Sequence, residues 1–67
     1  MDERYEMDTV KKIYDTTTNT YLWIGNDPDG GNSIVLISFD DKNKEVSRIY
    51  VYKEEIPYVL EALRCFM

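Results

Sequence analysis

Three segments of the chain have the composition of β-strands, and the first and the last of them alternate aliphatic with aromatic or polar residues. They are YLWIG (21–25), SIVLISF (33–39) and EVSRIYVY (45–52), all rich in β-branched or aromatic residues. Polar, turn-forming stretches separate them: TTTNT (16–20), NDPDGGN (26–32) and DDKNK (40–44). This pattern predicts antiparallel strands joined by hairpins into a meander.

The segment TVKKIYD (9–15) fits two structures. As a strand it would pair with residues 21–25 through the threonine-rich turn, whereas Met7, Val10, Ile13 and Tyr14 are also spaced for one face of a helix. We favour the strand, because the threonines that follow are poor helix formers. The sheet is therefore expected to have three to four strands, and residues 1–7 to form a loosely held N-terminal segment.

The end of the chain, EEIPYVLEALRCFM (54–67), has a helical period. Ile56, Val59, Leu60 and Leu63 recur on one side, and Pro57 suits the first helical turn, where a missing N–H costs nothing. The predicted fold is a single α+β domain over residues 1–67. In it, an antiparallel meander carries a C-terminal amphipathic helix on one face.

Alternation along the strands sorts the side chains into two faces. Leu22, Ile24, Ile49 and Val51, with Ile13 if residues 9–15 are extended, form an aliphatic face that should take the helix. The opposite face receives Tyr21, Trp23, Arg48, Tyr50 and Tyr52.

The middle segment, residues 33–39, is apolar on both sides, which is typical of a strand covered on both faces. Because one helix covers only one face, we expect the aromatic side to be an interface, closed by a second copy or kept for a ligand. The alternative is that long polar side chains and the N-terminal segment cover the rings within the chain.

The charge balance is acidic, with 13 Asp and Glu against 8 Lys and Arg and a net charge of −5. That balance disfavours non-specific binding to phosphate backbones and permits a basic protein partner, although it also serves plain solubility. A candidate acidic partner surface consists of Asp27, Asp29, Asp40, Asp41, Glu45, Glu54, Glu55 and Glu61. Carboxylates of this kind imitate the phosphates of DNA in some phage-encoded inhibitors.

Catalytic chemistry is not indicated. The chain has no histidine and one cysteine, Cys65, so no Ser/His or Cys/His pair exists to activate a nucleophile. Asp27 and Asp29 lack the series of oxygen ligands that a calcium loop requires. We expect no enzyme, no metal and no cofactor. We also expect no membrane span, and a cytoplasmic protein, because MDERYEMD is charged where a secretion signal would be apolar.

Residues 14–24 (YDTTTNTYLWI), followed by SIVLISF, RIYVY and IPYVLEALRCF, resemble one Pur-type repeat. The resemblance is carried by Asn19 before the second strand, the Tyr21-Leu22-x-Ile24 pattern and the closing amphipathic helix. It implies four antiparallel strands and a helix, pairing into an intertwined dimer-like unit, and binding of single-stranded DNA or RNA. The arginines and glycine of the family's first turn are replaced here by Thr18 and Thr20.

Two functional hypotheses follow. The first is a small, acidic, non-enzymatic regulatory module that forms a homodimer and binds another protein, for example as a phage-type inhibitor or DNA mimic. Homodimerisation is expected because a 67-residue core is small and neither a disulfide within the chain nor histidine ligation is available to reinforce it. The second is a Pur-like binder of single-stranded DNA or RNA that uses the aromatic face.

Overall fold

A computed structural model describes residues 4–8 and 10–67. In this part of the chain, five antiparallel strands are followed by a short 3-10 turn and a helix. The bounds are β1 Tyr5–Asp8, β2 Lys12–Asp15, β3 Thr20–Asn26, β4 Ser33–Phe39, β5 Glu45–Tyr52, the 3-10 turn Lys53–Glu55 and α1 Ile56–Arg64. Strand order in the sheet follows chain order, so the sheet is a simple meander.

The predicted α+β class and the antiparallel meander are confirmed, but the predicted number of strands is wrong. The sheet has five strands instead of three to four. The additional strand is β1, which pairs with β2 so that Tyr5 lies opposite Asp15 and Met7 opposite Ile13. Its alternation covers four residues and includes two acids, Glu6 and Asp8, which made it too weak a signal. Residues 1–3 of the N-terminal segment lie outside the described residues.

The ambiguous segment 9–15 is a strand from Lys12 onward, as favoured from the sequence. Val10 and Lys11 form the turn between β1 and β2, and Lys11 has a φ of 68°. The Val10 N–H donates to Asp8 Oδ1 over 3.0 Å, which helps to close this turn. Thr9 lies outside the described residues. The helical spacing of Met7, Val10 and Ile13 is therefore not reflected in a helix. A β-hairpin forms instead, and it places Met7 opposite Ile13.

The turn between β4 and β5 is organised by one carboxylate. Asp40 Oδ1 accepts hydrogen bonds from the backbone N–H groups of Lys42 and Lys44, each over 2.9 Å, and Asn43 takes a φ of 66°. Asparagine tolerates this left-handed conformation better than most residues. The strands leave the turn with a β-bulge, because the pairing passes from Ser38 opposite Ser47 to Phe39 opposite Glu45.

Among the described hydrophobic side chains, the most deeply buried are on the central part of β4. Val35 is fully buried and Ile37 is nearly so. The 3-10 turn Lys53–Glu55 joins β5 to the helix, and two hydrogen bonds hold this turn. Glu55 Oε1 accepts from the backbone N–H of Tyr52, and Glu54 Oε2 accepts from Asn32 Nδ2 in the β3–β4 loop.

The helix lies on the side of the sheet that the sequence assigned to it. Its residues Val59, Leu60 and Leu63 face Ile24 and Val51, with an open groove between helix and sheet. The predicted position of the amphipathic helix is thus found, although the packing is loose, since no residue of α1 is buried.

No helix among the described residues has both the length and the apolar character needed to cross a membrane.

Candidate functional site

The strand register places the predicted aromatic residues on one side of the sheet. Lys12 lies opposite Trp23 and Tyr14 opposite Tyr21 between β2 and β3. Across the other half of the sheet, the pairs on the same side are Trp23–Ile37, Ile37–Arg48, Val35–Tyr50 and Ser33–Tyr52. Tyr21, Trp23, Arg48, Tyr50 and Tyr52 therefore share a face with Val35, Ile37 and Phe39, which we call the aromatic face. Its use as an interface stays a prediction.

One end of the aromatic face is a ladder of rings that contact each other. Tyr21 stacks on Phe39 with centroids 4.6 Å apart and planes 13° from parallel, and Tyr14 lies 5.5 Å from Tyr21 on the other side. Lys12 Nζ is 5.5 Å from the Tyr21 centroid, and the Tyr21 hydroxyl donates to Asn43 Oδ1 over 2.7 Å. Rings and hydroxyl at this end thus already have partners within the chain. The sequence pattern missed Phe39, because β4 is apolar on both sides.

Trp23 lies across the centre of the aromatic face. Its six-membered ring occupies the space directly above Gly25, where any other residue would carry its Cβ. Gly25 is paired with Val35 in the register, so the indole is placed beside the most buried side chain of the sheet. Gly25 is therefore required by side-chain packing, a role that glycine often has within a strand.

The other end of the aromatic face is open. Tyr50 and Tyr52 are 51% and 60% exposed, and a cleft of about 300 Å³ lies between them and the β3–β4 loop. Asp27, Asp29 and Ser33 line its other side. Asp27 is held in place, since its Oδ1 accepts from the Asp29 N–H and its Oδ2 from the Ser33 hydroxyl. Two carboxylates beside two phenol rings make a cleft suited to a cation.

Sequence reasoning treated the loop acids and the tyrosines as separate features and so missed this cleft. A signal for it was present in the hairpin arrangement. In a meander of this kind the β3–β4 turn and the end of β5 lie at the same edge of the sheet, and the Ser33–Tyr52 pair brings them together.

Arg48 is engaged by its neighbours on the aromatic face. Its Nη2 is 2.7 Å from Glu45 Oε1, its Nε donates to Glu45 Oε2 over 3.3 Å, and its Nη1 donates to the Tyr50 hydroxyl over 3.3 Å. Residues three apart in a regular strand point to opposite faces, and the β-bulge brings Glu45 and Arg48 to the same one. The hydrogen bond from Arg48 lowers the pKa of Glu45, and the bond to Glu45 raises the pKa of Arg48.

The predicted acidic surface is divided among different parts of the molecule. Asp27 and Asp29 lie in the β3–β4 loop, whereas Asp40 and Asp41 lie in the β4–β5 loop at the opposite end of the strands. Glu45 begins β5, and Glu54, Glu55 and Glu61 lie in the 3-10 turn and the helix. Hydrogen bonds occupy Asp27, Asp40, Glu45, Glu54 and Glu55, so these five carboxylates stabilise local structure.

Within residues 4–8 and 10–67, no three Cys, Asp or Glu side chains come together in a way that would hold a metal ion. Cys65, just beyond the last residue of α1, is an exposed free thiol.

Comparison of the chain with known proteins finds no matching family model, no similar curated protein and no similar solved structure. The resemblance to a Pur-type repeat therefore stays an expectation.

Proposed function

We propose that the protein is a non-enzymatic binding module that acts as a pair of chains and holds a basic segment of another protein on its aromatic face. The observation that carries this proposal is the exposed pair Tyr50 and Tyr52 beside the carboxylates of Asp27 and Asp29. Exposed tyrosines are enriched among the anchor residues of protein interfaces, and rings next to carboxylates favour a lysine or arginine side chain.

The charges of the aromatic face support a basic partner over a nucleic acid. Its strand residues include three acids, Glu6, Asp8 and Glu45, and two cations, Lys12 and Arg48. Arg48 is already paired with Glu45. Single-stranded nucleic acids are held by stacking together with a positively charged groove, and this face supplies rings without that groove.

A second candidate, the Pur-like single-strand binder, is favoured by one observation. Tyr50 and Tyr52 have exposed rings on which bases could stack. A titration with a basic peptide and with a single-stranded nucleic acid separates the two candidates, because these two ligands have opposite charge.

The test is a titration of the isotope-labelled protein by NMR with three probes. These are a hexapeptide of alternating arginine and glycine, its glutamate counterpart, and a single-stranded 12-mer of thymidine. We expect saturable shifts of the Tyr50 and Tyr52 signals with the arginine peptide alone. Shifts with the 12-mer that disappear at high salt and in Trp23→Ala would favour the nucleic-acid candidate, and no shift with any probe would overturn the proposed site.

Tyr52→Ala and Tyr58→Ala form a matched pair for this titration. Tyr58 is an exposed tyrosine on α1, away from the cleft. Removing the Tyr52 ring should weaken peptide binding about two- to fivefold, as expected for one exposed cation–π contact, while Tyr58→Ala should bind like the parent. Equal effects of the two substitutions would contradict the assignment of the cleft. Asp29→Asn tests the charge separately, since no hydrogen bond to its carboxylate is seen among the described residues.

A further inference from the structure

The helix covers the side of the sheet beneath it only in part. A groove of about 180 Å³ separates Ile24, Leu36 and Val51 of the sheet from Val59, Leu60 and Leu63 of the helix, and its lining is almost entirely apolar. Leu60 and Leu63 are 53% and 57% exposed. In a finished core these side chains would be buried, and here their outer halves are in contact with solvent.

The same side of the sheet continues beyond the helix as uncovered aliphatic surface. The register places Met7, Ile13, Leu22 and Ile49 on this side together with Ile24, Leu36 and Val51, and we call the whole set the aliphatic face. Met7 and Ile49 are exposed. The apolar surface thus runs from the helix stripe onto the open part of the sheet.

The total surface of the chain is larger than the average for a folded monomer of its mass. The chain exposes 5624 Å², whereas a folded monomeric protein of 8.0 kDa exposes about 4,450 Å². The difference of about 1,200 Å² exceeds the area of about 800 Å² that each partner buries in a standard protein interface. The Cα radius of gyration, 12.9 Å, is likewise above the value of about 11 Å for a compact chain of this length.

The charges of the strand residues favour one face over the other for contact with a second copy. Among the described strand residues, the aliphatic face carries one charged side chain, Asp15, whereas the aromatic face carries five. Each chain has a net charge of −5, so two copies repel one another wherever their acids approach. The side with the single strand charge therefore allows two like-charged copies to meet with less repulsion.

We propose that a second copy of this chain packs on the aliphatic face, so that the exposed stripe of each α1 is buried against the partner around a two-fold axis. Such an arrangement is self-complementary, as two-fold interfaces must be. It deepens the proposed function, on whose pairing of chains it rests, by identifying the paired surface. The aromatic face of each copy then stays outside and free for a partner.

Analytical ultracentrifugation of the full chain tests this pairing with two matched variants. Leu63→Asp places a charge in the exposed stripe, and Tyr58→Asp places the same charge on the opposite side of the same helix. The parent and Tyr58→Asp are expected to sediment at twice the 8.0 kDa chain mass. Leu63→Asp should weaken the dimer about 100-fold, because an unpaired carboxylate would be buried. A monomeric parent at millimolar concentration, or a dimeric Leu63→Asp, would overturn the proposal.

A second measurement covers the case in which Leu63→Asp does not fold. In a mixture of isotope-labelled and unlabelled parent protein, filtered NOEs report only contacts between copies. We expect such NOEs from the Leu60 and Leu63 methyl groups to the aliphatic face. Filtered NOEs confined to Trp23, Tyr50 and Tyr52 would overturn this inference while leaving the pairing of chains intact. Failure of the arginine-peptide titration, in contrast, would overturn the aromatic-face function and leave the dimer untouched.

Discussion

The two faces of the sheet differ in how well side chains of the same chain cover them. On the aromatic face, Trp23 lies over Gly25, Tyr21 stacks on Phe39, and Val35 is buried beneath this layer. On the aliphatic face, the helix stands over a groove, and none of its residues is buried. The face rich in rings therefore supplies the monomer's own core, and the face rich in aliphatic residues is the incomplete one.

This contrast concerns an expectation drawn from the alternation of side chains along the strands and from the presence of one helix. A lone amphipathic helix was expected to finish the aliphatic side and to leave the aromatic side in need of a partner. Large planar rings on neighbouring strands cover the β4 side chains between them, whereas a nine-residue helix contacts only part of a five-stranded sheet. Burial depends on the area that each element covers, and a hydrophobic pattern alone does not report that area.

The largest expected effect comes from comparing two isoleucines of the sheet, one on each face. Ile37 is 8% exposed and Ile49 is 58% exposed. Ile37→Ala should lower the free energy of unfolding by about 2–5 kcal/mol through the cavity it leaves, at every protein concentration.

Ile49→Ala should destabilise the protein only at concentrations where the dimer forms, because its side chain is buried only by the second copy. Urea unfolding followed by circular dichroism at micromolar and near-millimolar protein measures both variants. An Ile49→Ala effect that is large and independent of concentration would show that the monomer alone buries this residue.

A smaller effect is expected from Gly25→Ala. The new methyl group would occupy the space of the Trp23 ring, and displacing that ring should lower the free energy of unfolding by about 1–3 kcal/mol. The tryptophan fluorescence should shift to longer wavelength as the indole moves into water.

Trp23→Leu provides the control for Gly25→Ala. In that background the methyl group meets no indole, so Gly25→Ala should cost less, and the difference measures the contact between the two residues. Equal costs in both backgrounds would mean that Trp23 does not occupy the position above Gly25.

The smallest effect concerns the exposed pair formed by Glu45 and Arg48. The hydrogen bond from Arg48 holds the pKa of Glu45 below its ordinary value of 4.5. Because the folded pKa is the lower one, the pair's stabilising contribution is complete above the unfolded pKa and is lost as the pH falls through the folded pKa. Arg48→Gln should return the Glu45 pKa toward 4.5, as followed by NMR of its carboxyl carbon. An unchanged titration of Glu45 would contradict the pairing. Both side chains are exposed, so the change in overall stability should be small.

Much of the fold could be predicted from local patterns. The alternation of Tyr21 and Trp23 with Leu22 and Ile24 defines two sides of one strand, and the turn residues around Asp27 and Asn43 mark the hairpins. The helix was recognisable from its apolar period. These features are encoded by neighbouring residues, so a single sequence reveals them.

The features that the sequence did not reveal depend on contacts between distant residues. β1 is defined by its pairing with β2, and the position of Glu45 depends on a bulge that no single residue type marks. The cleft joins Asp27 to Tyr50 and Tyr52, which are brought together only when β4 pairs with β5. The gap between the helix and the sheet depends on the distance between these two elements. The alternation of residues along the strands does not indicate that distance.

The two faces can be compared most directly in one sample, by NMR with a soluble gadolinium chelate that relaxes nuclei exposed to solvent. At a concentration where the protein is paired, we expect the Leu60, Leu63 and Ile49 methyl groups to be protected. The rings of Tyr50 and Tyr52 should be strongly relaxed. Protected tyrosine rings together with strongly relaxed leucine and isoleucine methyl groups would contradict pairing through the aliphatic face, because the second copy would then lie on the aromatic face.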